Sequence, residues 1–293
     1  MSDPVWPPAP AAGDRVGVAA LSGWVEEERL DRGLRALREL GFQPIVAPNV
    51  SSRDGVFAGT DRQRLDGFHA LVADPEVRAV FFVRGGHGVL RLIDRIDWDL
   101  LARHPRAYVG YSDLTPLLLE ILRRTEQVTF HGPMVGVEMA RGLTRAELES
   151  MTAVLEGRSG IEYDLEGPSG GDVVEGRLIG GCLSMLSSVS GTGFGLDTDG
   201  ATVLFWEDID EPYYRIDRML TQLRLSGAVS SLSGMVIGRT GLDREDLERL
   251  GVEAEVSFAA GLSSGHCEPN LTLPLGARVR LDPRRGRLVI ERS

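Results

Sequence analysis

Apolar strands alternate with amphipathic helices through the first half of the chain, and that alternation leaves few folds open. "RVGVAAL" (residues 15–21) is a short buried strand. "VEEERLDRGLRALRELG" follows, with Leu30, Leu34, Leu37 and Leu40 along one helical face and Gly41 as the stop. "FQPIVAP" is the next strand, and "TDRQRLDGFHALVADP" is a helix capped by Thr60 or Asp61. "VRAVFFVR" (residues 77–84) is a strongly apolar strand running into "GGHG", followed by the helical pattern "VLRLIDRIDWDLLARH". "AYVGY" leads into a leucine-rich helix that starts straight after Ser112, and "VTFHGPM" closes the series. Such alternation predicts a parallel sheet covered on both faces, with ligands beyond the carboxyl ends of the strands. Both "GGHG" and Ser112 fall at those ends.

The pattern breaks at "EGRSGIEYDLEGPSGG", which is glycine-rich and polar and reads as a linker over residues 156–172. Beyond it, "VVEGRLIGGCLSML", "ATVLFWEDID" and "SGMVIGRT" read as strands, and "YYRIDRMLTQLRLSGAV" as a helix with Ile216, Leu220 and Leu223 on one face. "LTLPLGARVRLDPRRGRLVIER" reads as a terminal antiparallel hairpin turning at "PRRG". The expected organisation is an α/β domain over residues 1–155, the linker, and a β-rich domain over residues 173–293. A length of 293 residues suits two such domains.

Composition narrows the function classes. An apolar fraction of 42% and a charged fraction of 26% are those of a soluble globular protein. The net charge of −11 argues against a nucleic-acid partner, because phosphate binding needs a basic surface. All 32 residues counted as Lys+Arg are arginine, which excludes a lysine Schiff base, a Ser–Lys dyad and a P-loop lysine. Cys182 and Cys267 make no disulfide framework and lack metal-site spacing. "MSDPVWPPAPAAGDR" has neither the basic nor the apolar region of a signal peptide, and no apolar run is long enough to cross a bilayer. The expectation is a cytoplasmic protein with no membrane association, no metal and no cofactor.

The chemistry-bearing residues are fewer. Ser112, at the corner of "YVGYSDLTPLLLEIL", can be a helix N-cap or a nucleophile on a strand–serine–helix elbow, and local sequence leaves both open. "GGHG" (residues 85–88) is not a dinucleotide fingerprint, and the first strand runs into the acidic "SGWVEEE" where a pyrophosphate would sit. The loop is either a tight turn or a place where backbone N–H groups approach a ligand. A serine nucleophile needs a base and a group to orient it. The candidates for the base are His69, His87, His104, His131 and His266, among which the residues themselves do not choose. For the acid, an apolar strand stops at Glu207, followed by Asp208, Asp210 and Glu211. That run is either a carboxylate site for a histidine or a solvated turn before a helix.

Five blocks, "FVRGGHGVLRLIDRIDWDLL", "YVGYSDLTPLLLEI", "VTFHGPM", "LFWEDIDEPYYRIDRMLTQL" and "GHCEPNLTLPLGARVRLD", occur in an order that resembles the LD-carboxypeptidase family of serine peptidases, which includes the microcin self-immunity peptidases. The resemblance spans nearly the whole chain. It implies a Rossmann-like N-terminal α/β domain, a smaller β-rich C-terminal domain, and an active site between them. It implies Ser112 of "GYSD" as nucleophile, Glu207 of "L-F-x-E-D" as acid and His266 of "GH…LPLG" as base, with Gly86 and Asp113 N–H groups as the oxyanion hole. It further implies a homodimer, no cofactor, and a murein-peptide substrate cut between meso-diaminopimelate and D-alanine in cell-wall recycling.

Two positions depart from the family pattern: His87 stands where tyrosine is common, and Cys182 where asparagine is common. Both leave the triad intact and bear on the substrate. Arg84, His87 and Arg215 are the candidate substrate contacts nearest the motifs. Two alternatives accompany this reading: a microcin-immunity-type peptidase acting on aminoacyl-nucleotide substrates, and a non-catalytic protein that binds peptidoglycan fragments.

Overall fold

The strand residues that are apolar on both faces form the buried centre of a six-stranded sheet, as a parallel sheet covered on both sides requires. The computed structural model describes residues 4–196, 198 and 201–291. They divide into two units, one spanning residues 4–157 with Leu271–Leu273, the other holding residues 158–270 and the chain from Pro274 onward.

In the first unit, β1 (Arg15–Ala19), β2 (Gln43–Val46), β3 (Val77–Phe82), β4 (Ala107–Gly110) and β5 (Thr129–His131) make parallel pairs in the order β5-β4-β3-β1-β2. A late strand, Leu273–Leu275, adds to the β5 edge. Helices α1 (Glu27–Glu39), α2 (Asp61–Ala73), α3 (Trp98–Arg103) and α4 (Thr115–Thr125) fill the crossovers, and α5 (Arg145–Leu155) follows β5. Helix α1 buries Leu30, Leu34 and Leu37, the stripe expected from spacing, while Leu40 is its C-cap. Thr60 caps α2 through a reciprocal bond pair with Gln63. The run after "GGHG" is not one helix. It forms two 3-10 turns, Val89–Arg91 and Ile93–Arg95, before the short α3, which Asp97 caps.

One buried cation holds the lower part of this unit together. The Arg106 guanidinium donates to the carbonyls of Leu71, Val72, Asp74, Val77 and His104, at 2.7–3.3 Å. It thereby joins the end of α2, the start of β3 and the start of β4. Burial lowers its pKa, and the carbonyl acceptors compensate the charge. Arg106→Met is expected to lower the unfolding free energy by about 3–5 kcal/mol, because several buried carbonyls lose their donor at once. Urea denaturation of both proteins checks this, and a loss under about 1 kcal/mol would contradict it.

In the second unit, an eight-stranded sheet has the order β6-β14-β13-β8-β9-β10-β11-β7. Its strands are β6 (Ile161–Asp164), β7 (Ser169–Gly170), β8 (Val174–Cys182), β9 (Thr202–Glu207), β10 (Leu232–Gly238) and β11 (Ser257–Leu262), followed by β13 (Arg278–Asp282) and β14 (Arg287–Glu291), with β12 being the late strand of the other sheet. The centre β8-β9-β10-β11 is parallel, and β7, β13, β14 and β6 join antiparallel. Helices α6 (Leu183–Val189), α7 (Tyr213–Leu225) and α8 (Arg244–Glu253) connect the parallel strands. The sheet is therefore mixed, with α/β character at its centre and the expected hairpin toward one edge. The glycine-rich segment expected as a linker contains β6 and β7, which form the two edges of this sheet. Their partners, β14 and β11, lie far along the chain, so local composition shows only the glycines.

Candidate active site

Strand β4 ends at Gly110, and two residues later Ser112 adopts φ +63°. A side-chain-bearing residue enters this left-handed region only where its surroundings force it. Ser112 opens the 3-10 turn Ser112–Leu114, whose N-cap is Tyr111, and α4 takes Leu114 as its N-cap. Ser112 is thus not the N-cap that local sequence allowed, and the corner has the sharp strand-to-helix geometry of an elbow.

The glycine loop packs directly on this corner. A Cβ on Gly85 would lie 2.8 Å from Ser112 Cβ and 2.9 Å from its Oγ, so only glycine lets the two backbones approach. Gly86 follows and is exposed. Asp113, next to the serine, is buried and accepts from Ser22 Oγ at 2.6 Å and from Val89 N–H at 3.0 Å. Its own N–H belongs to the first turn, where backbone donors lack intrahelical acceptors and can meet an anion. Arg84 is half-buried and donates to the Trp24 carbonyl at 3.3 Å. His87 is exposed, its ring 5.6 Å from that of Phe57.

In the other unit, Glu207 ends β9 and is fully buried. Its carboxylate accepts the His266 backbone N–H at 3.1 Å, and its Oε2 lies 2.9 Å from His266 Nδ1. A carboxylate at that nitrogen puts the proton on Nδ1 and leaves Nε2 as the basic nitrogen. The His266 side chain keeps 25% of its exposure against none for Glu207, so an accessible imidazole stands over a buried carboxylate. Gly265 makes the approach possible: at φ +96° its Cβ would fall 2.3 Å from Glu207 Cδ. The Gly265 N–H donates to the buried Asn270 side chain at 2.8 Å, which fixes the loop.

The acidic residues after Glu207 divide by role. Asp208 accepts Ser184 N–H at 2.8 Å and faces Cys182 Sγ at 3.6 Å, joining the start of α6 to the end of β9. Burial, followed by the charges of Glu207 and Asp208, pushes the Cys182 thiol pKa up, so it is a neutral thiol. Glu211 pairs at 3.3 Å with the exposed Arg215 in the first turn of α7. Among the described residues, no group of three or more His, Cys, Asp or Glu side chains is arranged to hold a metal ion. No helix among them is long and apolar enough to cross a membrane.

The remaining histidines have other surroundings. His69 is neutral, its pKa lowered by burial, and its Nε2 accepts the Asp97 N–H at 3.1 Å. His104 is the C-cap of α3, and His131 is buried at the end of β5, 5.5 Å from the Tyr111 ring. His266 has a carboxylate at its ring nitrogen.

Comparison with known proteins agrees with this division into two halves. Residues 16–132 match the LD-carboxypeptidase N-terminal domain, and residues 175–281 match the LD-carboxypeptidase C-terminal domain. A probable murein peptide carboxypeptidase of Bacillus subtilis is 36% identical over 97% of this chain and 94% of its own length. The chain belongs to the LD-carboxypeptidase family. A murein tetrapeptide carboxypeptidase of Pseudomonas aeruginosa is 33% identical, with 97% of each chain covered. A muramoyltetrapeptide carboxypeptidase structure from Oxalobacter formigenes superposes with a TM-score of 0.87 at 29% identity, covering 95% of this chain and 99% of that one.

As an LD-carboxypeptidase the chain is a serine-type peptidase of the hydrolase class. Three residues that support the site were not evident from sequence: Ser22, Asn270 and, in its role at α6, Asp208. Asp208 had a signal, since it directly follows Glu207 at a strand end. Ser22 bonds Asp113 across 91 positions, and Asn270 accepts the Gly265 N–H five positions back; no spacing rule reveals either.

Proposed function

We propose that this LD-carboxypeptidase removes the terminal D-alanine of murein tetrapeptides in the cytoplasm, by acyl transfer through Ser112, Glu207 and His266. His266 Nε2 takes the Ser112 proton while Glu207 stabilises the imidazolium that forms. Ser112 Oγ attacks the carbonyl of the meso-diaminopimelate residue, and the oxyanion accepts from the N–H groups of Gly86 and Asp113. D-alanine leaves with the proton from His266, and water activated by the same histidine releases the acyl group and restores Ser112. The serine and the acid–base pair come from different units, so turnover requires both to reach one substrate. Arg84, His87 and Arg215 are the proposed substrate contacts, the arginines suiting a free carboxylate.

The observation that carries the proposal is the Glu207–His266 couple, in which a fully buried carboxylate holds a partly exposed imidazole at 2.9 Å. Burying a carboxylate is costly, and orienting a base is a function that justifies it. The test is mass-spectrometric detection of D-alanine from the murein tetrapeptide, run beside an aminoacyl sulfamoyl adenosine. Release from the tetrapeptide supports the proposal. Cleavage of the nucleotide analogue alone would move the chain to the microcin-immunity reading, and tetrapeptide binding without cleavage to the non-catalytic one. We also propose a homodimer, for which light scattering is expected to give twice the chain mass.

A further inference from the structure

Two buried carboxylates flank Ser112, and only one of them belongs to a motif. On one side is Asp113, held by Ser22 and Val89. On the other is Tyr111, whose hydroxyl donates to Glu138 Oε1 at 2.7 Å. Glu138 is buried, and its second oxygen accepts the Met134 N–H at 2.8 Å. It lies in the π-helical turn Val135–Met139, a rare conformation that recurs at functional sites. The same turn also reaches the glycine loop: Gly136 N–H donates to the Val83 carbonyl at 2.7 Å, just before Arg84, Gly85 and Gly86. One turn thus bonds both the residue preceding the proposed nucleophile and the strand end that leads to the proposed oxyanion donor.

The geometry points to Glu138 as a positioning residue that, through Tyr111, holds Ser112 in its left-handed conformation and in register with the glycine loop. This rests on the reading of Ser112 as nucleophile. A strained residue persists only where its neighbours over-determine it. Here the residues on either side of Ser112 are each tied by a charge-assisted bond to a different segment. Glu138 does not need to touch the substrate to act in this way. Loosening Tyr111 would let the Ser112 backbone relax, and small displacements of a nucleophile from its oxyanion donors are costly to rate.

The test uses Tyr111→Phe, which removes one hydroxyl, and Glu138→Gln, which keeps an acceptor for it. Thr129→Val serves as the control, since it removes a buried hydroxyl bond to the Leu118 carbonyl of 3.1 Å elsewhere in the same unit. The readouts are the rate of covalent labelling of Ser112 by a fluorophosphonate, kcat and KM on the tetrapeptide, and the thermal midpoint. Tyr111→Phe is expected to slow labelling and lower kcat by about tenfold to a hundredfold with KM little changed. Glu138→Gln is expected to fall less, and Thr129→Val to lose thermal stability with labelling unchanged. Labelling and kcat at parental values in folded Tyr111→Phe would overturn the inference, as would equal slowing in the control. If the parent itself is not labelled at Ser112, the nucleophile reading fails instead, so the two failures remain distinct.

Discussion

Glu207→Gln is expected to lower kcat about 10⁴-fold while the protein stays folded. The substitution keeps the size of the side chain, so its close packing against Gly265 and Gly238 is preserved. What changes is the hydrogen at each oxygen position. Glu207 accepts both from the His266 backbone and toward His266 Nδ1, and an amide offers one acceptor and one donor group. An amide oxygen kept at the Oε2 position for the backbone N–H puts the NH2 at the Oε1 position, 3.2 Å from Nδ1, where it competes with that oxygen and favours the tautomer with the proton on Nε2. That tautomer cannot take a proton from serine. Steady-state kinetics with a thermal midpoint check this, and turnover within tenfold of the parent would show that Glu207 does not orient the base.

Gly85→Ala is the second large effect, acting on the other half of the machinery. Its Cβ would press on Ser112 Cβ and Oγ at 2.8 and 2.9 Å and lie 3.3 Å from the Asp113 nitrogen. Either the glycine loop or the serine must move, which separates the proposed nucleophile from the proposed oxyanion donors. The expected loss in kcat is about 10²–10³-fold, the size seen when one oxyanion donor is lost. Overpacking is expected to remove about 1–3 kcal/mol of stability. Gly241→Ala is the matched control, since nothing lies within 4 Å of a Cβ there. Unchanged kcat in Gly85→Ala, with KM and midpoint also unchanged, would mean that the loop yields freely and does not set the serine.

The alternation of strand and helix was legible in the sequence because each element carries its own period. Leu30, Leu34 and Leu37 line one buried face of α1, and the apolar stretch before "GGHG" is the almost wholly buried β3. The terminal hairpin was legible from its turn and now pairs β13 with β14. Edge strands β6 and β7 were not legible, because their pairing comes from residues more than eighty positions away. The run after "GGHG" has helical periodicity and still breaks into short turns, with Leu92 ending one turn and preceding the next. At the site, residue types located Ser112, Glu207 and His266 only as candidates, and the family resemblance chose among the histidines. Two features that no residue pattern states are the φ of Ser112 and the Nδ1 contact of His266. Both depend on tertiary packing at glycines, where a missing side chain is the informative fact.

The central claim is that Ser112 is the nucleophile of an LD-carboxypeptidase. It is tested most directly by following D-alanine release from the murein tetrapeptide with the parent protein and with Ser112→Ala, both shown to be folded. The account predicts release by the parent and none above the uncatalysed background by the variant. Release by Ser112→Ala at the parental rate would contradict it and would reduce the strained serine to a structural element of the turn.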